Sequence, residues 1–120
     1  MPFEFSDQHF DNGELYLRID VSGEVTLDDA KAMIAQMERP EHRNGRALSV
    51  VAKGTVYTPE ARKHFPKIDP LYSCLAAVVT SPVVRAAINL MVRLTPQGRR
   101  FRMFKDERSA LEWLINHRPS

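Results

Sequence analysis

Six consecutive apolar residues, Cys74 to Val79, closed by Thr80-Ser81-Pro82, constrain the fold of this 120-residue chain more than any other segment. The run is far too short for a membrane helix, which needs about 20 apolar residues. It lacks the strict alternation of a half-exposed strand and the 3.6-residue period of a surface helix. An unbroken run bounded by turn residues fits a strand, here Leu75 to Thr80, buried on both faces of a parallel sheet. Such a sheet needs helices to cover it.

Helix starts are marked along the chain. Thr26 precedes a stretch in which Leu27, Ala30, Ile34 and Met37, with Met33 beside them, form an apolar stripe, and Asp28 and Asp29 stand where the helix dipole favours negative charge. Pro40 and Gly45 end it. Thr58-Pro59-Glu60 opens a second helix with a hydroxyl cap and a proline at the first helical position. Its apolar positions are Ala61, Phe65 and Ile68, and Pro66 and Pro70 keep it short. Ser81-Pro82 opens a third helix running to about Leu94. Asp106 caps a fourth, with Ala110, Leu111, Leu114 and Ile115 as core positions and Trp113 adjacent. Between the helices lie the strands. Phe3 and Phe5 alternate with polar neighbours, Asp11-Asn12-Gly13 is turn chemistry, and Leu15, Leu17, Ile19 and Val21 alternate with polar residues, which makes an opening hairpin. Leu48 to Ala52 and Phe101 to Phe104 are further short strands. The expectation is one α/β domain over 1–120, with a mixed, largely parallel sheet, an N-terminal hairpin and about four helices.

Composition agrees, since 43% hydrophobic residues suffice for a core and a single cysteine, Cys74, excludes an internal disulfide. With no basic patch leading into an apolar stretch at the N-terminus, a cytoplasmic protein is expected. Charge is divided unevenly. Up to Glu41 there are ten acids against Arg18, Lys31 and Arg39, whereas from His42 onward fourteen Lys and Arg face five acids. The two halves are expected to interleave on folding, although the asymmetry also suits a second copy or an acidic partner.

The order of elements resembles the STAS domain, the fold of bacterial anti-sigma factor antagonists and of the cytoplasmic tails of sulfate transporters. More narrowly, the chain is similar to small bacterial STAS-like proteins related to the CRAL-TRIO lipid-binding superfamily. The residues carrying the likeness are Val56-Tyr57-Thr58-Pro59-Glu60-Ala61-Arg62 and Ala76-Ala77-Val78-Val79-Thr80-Ser81-Pro82-Val83-Val84-Arg85. Asn89-Leu90 and the run from Phe104-Lys105-Asp106-Glu107 to Ala110, Trp113 and Leu114 add to it. The resemblance implies a non-enzymatic regulatory or adaptor module working by protein contact, without a cofactor. Phosphorylatable STAS antagonists carry an Asp-Ser-(Ser/Thr)-Gly-like motif at the second helix entrance. Here that entrance reads Tyr57-Thr58-Pro59-Glu60, which argues against a kinase switch.

Catalytic motifs are absent from the sequence. His9, His42, His64 and His117 are scattered without metal-ligand spacing, and there is no nucleophile elbow, phosphate-binding loop or dinucleotide fingerprint. Three features stand out instead. On the third helix Arg85, Asn89 and Arg93 form one narrow polar stripe, and apolar residues centred on Ala86 and Leu90 occupy the rest of the circumference. Either that surplus is a dimer or partner face, or loops and the neighbouring helix bury it. Second, Arg85, Arg93, Arg99, Arg100, Arg102 and Lys105 surround Phe101 and Phe104, a pattern that also occurs in single-strand nucleic-acid binders. A solvated basic edge with core phenylalanines is the preferred reading. Third, Thr58 and Ser81 mark helix entrances on the usual ligand side of an α/β sheet, where Arg85 could help hold an anion. This last feature sustains the alternative function, a sensor or carrier for a small anionic or lipid-like ligand.

Overall fold

The structure, a computed structural model, describes residues 3–92 and 100–116. β1 (Phe3–His9) and β2 (Leu15–Val21) form the expected hairpin. Gly13, at φ +88°, supplies the left-handed residue of its turn, and its N–H donates to the Phe10 carbonyl. The chain continues through β3 (Glu24–Val25), α1 (Leu27–Met37), β4 (Gly45–Val51), β5 (Val56–Tyr57) and α2 (Pro59–His64). A 3-10 segment, Phe65–Leu71, leads into β6 (Tyr72–Val79), α3 (Pro82–Val92), β7 (Phe101–Phe104) and α4 (Glu107–Asn116).

Five strands make one sheet in the order β1-β2-β4-β6-β7, with β1 antiparallel to β2 and every later pair parallel. The chain crosses the sheet in one direction. Right-handed crossovers then place every connecting helix on the same side, and α1, α2 and α3 pack together over one core. α4 follows β7 rather than joining two strands of this sheet. It covers the opposite face, where Ala110 and Leu114 meet Leu48, Cys74, Ala76 and Val78. This two-sided cover is why Cys74 to Val79 reads as an uninterrupted apolar run.

Each expected cap is present. Thr26 Oγ1 accepts from the Asp29 N–H while Asp29 accepts from the Thr26 N–H, a reciprocal box. Thr58 accepts from Ala61, Ser81 from Val84, and Asp106 from Ser109 at 2.8 Å. The Ser109 N–H and, next, its hydroxyl hold the Asp106 carboxyl below the ordinary carboxylate range. A depressed folded-state pKa contributes stability above the unfolded value and loses it as pH falls through the folded one. Asp106→Ala should therefore lower the melting temperature at neutral pH, and the difference from wild type should begin to shrink below roughly pH 4 and vanish only once the pH is under the depressed folded-state value. A gap of constant size down the acid limb would show that the carboxylate charge is not what holds this helix start.

The structure departs from expectation in four places. The short parallel pair β3-β5 had no sequence signal, being two residues per strand. β4 begins at Gly45 and ends at Val51, so Ala52 lies outside it. β6 begins at Tyr72 and ends at Val79, leaving Thr80 in the turn. Trp113 is only half-buried, at the rim of α4, its ring centroid 5.8 Å from that of Phe104, whereas Leu114 is fully enclosed. The helical period points residue 114, not 113, at the sheet.

Candidate functional site

The two helix entrances are largely occupied by their own caps. The Thr58 N–H donates to the Val25 carbonyl, its hydroxyl accepts from Ala61, and Pro59 has no N–H. Ser81 and Pro82 repeat the arrangement at α3, where Val84 donates to the serine. At the α2 entrance this leaves the N–H of Glu60, a residue with its own negative charge. Arg85 is half-buried and Nη2 reaches back to the Val79 carbonyl at 3.5 Å, folding the guanidinium against the end of β6.

α3 is split lengthwise. Val84, Ile88 and Met91 are buried against the sheet, with Ala87 partly buried beside them. On the other side Val83 is 80% exposed and Leu90 57%, with Ala86 and Asn89 exposed near them. Positions 83, 86 and 90 repeat at three and four residues, so they form one apolar line along the helix. Arg93, the remaining contact candidate on this helix, lies outside the described residues, as does Arg99.

Within the α1-α2-α3 core lies a cavity of about 80 Å³. Its floor is central. Register sets Ser49 of β4 beside Ala77 of β6, and these two small side chains leave room that Phe3, Tyr57, Phe65, Tyr72, Ile88 and Met91 only partly fill. Among the described residues that line it none is charged, and Thr58, Ser81 and Arg85 are not among them. Nothing in the motif reading singled out Ser49. Its one signal was a hydroxyl in the middle of Leu48–Val51, otherwise apolar.

A family model described as a domain of unknown function, DUF7793, matches residues 9–118. The chain belongs to that family. Among solved structures it is similar to an uncharacterized protein of the DUF3478 family with a SpoIIAA-like fold from Shewanella loihica PV-4. The TM-score is 0.65 at 19% identity over 93% of each chain. Comparison with curated proteins finds no match. The SpoIIAA-like neighbour agrees with the STAS resemblance, and this DUF7793 chain has that mixed α/β fold.

The remaining candidates find structural partners. Phe101 packs at the edge of the first core and Phe104 at the edge of the second, with the Arg102 guanidinium 5.3 Å from the Phe104 ring centre. Arg100 donates to the Tyr72 carbonyl and lies over the Tyr72 ring. Cys74 is buried, and burial pushes its thiol up, away from the reactive thiolate. No group of three His, Cys, Asp or Glu that could hold a metal occurs among the described residues. No described helix is long and apolar enough to cross a membrane. Acidic and basic halves meet through Glu14–Arg46 and Asp7–His42, and Arg18 pairs with Asp20 and Glu107.

Proposed function

We propose that this STAS-like domain is a non-enzymatic regulatory or adaptor module of the bacterial cytoplasm, working by protein contact through the outer face of α3. The supporting observation is the exposed line of Val83, Ala86 and Leu90 on a helix whose opposite side is already committed to the core. Apolar side chains arranged along one helix face gain by being covered. The small Ala86 between two larger residues allows another helix to approach closely. A second copy is the proposed occupant, because a two-fold axis sets the same apolar line against itself. Asn89 and Arg93 would flank that contact.

Sedimentation or light scattering at high protein concentration tests this. The wild type is expected to be a dimer and Leu90→Glu a folded monomer, since a carboxylate buried in an apolar contact is costly unless paired. A monomeric wild type, or a Leu90→Glu protein that stays dimeric, overturns the assignment.

A further inference from the structure

We infer that the core cavity is a binding site for a small neutral molecule, about one ring in size, carrying a single hydroxyl. The inference goes beyond the contact reading and does not depend on it. Serine is an odd choice at position 49. Its neighbours on the same face of β4, Ala47 and Val51, are apolar and buried, and a hydroxyl placed there costs free energy unless something bonds to it. Among the described residues no hydrogen bond involves the Ser49 side chain, and its hydroxyl is not sealed off, so it faces the open space of the cavity. Tyr57 lines the same cavity, and burial pushes its phenol up. Ser49 and Tyr57 thus bring hydroxyl-bearing side chains to a space lined mainly by apolar groups, with Tyr72 beside them.

The chemistry of the lining selects the ligand. Aromatic and aliphatic walls favour an apolar body, and the hydroxyls favour one hydrogen-bonding group. The described lining carries no charge, which disfavours a carboxylate or phosphate, since neither would meet a counter-ion there. Size sets a second limit. At about 80 Å³ the space is roughly half that of a ~150 Å³ engineered cavity that binds benzene. A ring is accommodated when the flexible side chains of Met33 and Met91 in the wall change rotamer, a movement methionine makes at low cost. Long acyl chains exceed that reach.

The test uses phenol, toluene and benzoate as probes on the full chain, read by ligand-observed NMR and by thermal shift. Phenol is expected to bind and raise the melting temperature, toluene to bind less tightly, and benzoate not to bind. Ser49→Ala should weaken phenol about fivefold, the worth of one hydrogen bond, and leave toluene unchanged. Ser49→Val and, independently, Ala77→Val put a bulkier branched side chain on the floor and should abolish binding while keeping a cooperative melt. Failure of phenol to bind, leaving the space to water, overturns the inference. So does benzoate binding as well as phenol, or phenol binding that survives both valine variants. Dimerisation measured on the same samples keeps this result separate from the contact proposal.

Discussion

Replacing Leu114 by alanine is expected to cost about 2–5 kcal/mol, the range for a fully enclosed leucine, and to lower the melting temperature by roughly 10 °C or more. The reason lies in the asymmetry of the cover. Three helices share one side of the sheet, whereas α4 is the helix on the other, and Leu114 is its largest fully buried side chain. Removing it opens a void beside Leu48, Cys74 and Ala76. Trp113, although larger, sits at the rim against Phe104, so Trp113→Ala should cost less, about 1–2 kcal/mol. Thermal melts of the two variants decide the matter. A greater loss at Trp113 would mean that the indole, not the leucine, anchors α4.

His42→Ala should be the second most damaging change away from the sheet, at about 2–3 kcal/mol. The ring is buried between α1 and the end of β1, its Nδ1 2.8 Å from the Gln36 carbonyl and its Nε2 2.6 Å from Asp7 Oδ1. The His42 backbone carbonyl also takes the Gly45 N–H where β4 begins. A Cβ at Gly45 would stand 2.9 Å from that same oxygen, so the loop is tightly closed around this residue. Alanine at 42 empties the space and leaves the Gln36 carbonyl with the longer, 3.3 Å bond from the Arg39 N–H. Asp7 is half-exposed, so Asp7→Ala removes a solvent-screened pair and should cost at most about 1 kcal/mol. Urea midpoints at unchanged m-value provide the comparison. Equal losses from the two variants would shift the weight from the buried ring to the charge pair.

Much of this architecture was legible in the chain. Local chemistry specifies where helices begin, because a hydroxyl or carboxylate cap and a following proline act within four residues. Thr26, Thr58, Ser81 and Asp106 are caps in the structure for that reason. The apolar run ending at Val79 likewise determined a doubly covered central strand, and the Asp11-Asn12-Gly13 turn determined the hairpin.

Periodicity states which side chains share a face, but not which face meets a neighbour. Only the tertiary structure decided that Val84, Ile88 and Met91 turn inward while Val83, Ala86 and Leu90 stay outside. The same holds for Trp113 and Leu114, adjacent in sequence and 100° apart around the helix. The cavity was still less visible. Ser49 and Ala77 lie 28 positions apart and become neighbours through the parallel register of β4 and β6. That register is a long-range pairing, which no local propensity encodes, and it sets two small side chains next to each other at the centre of the sheet.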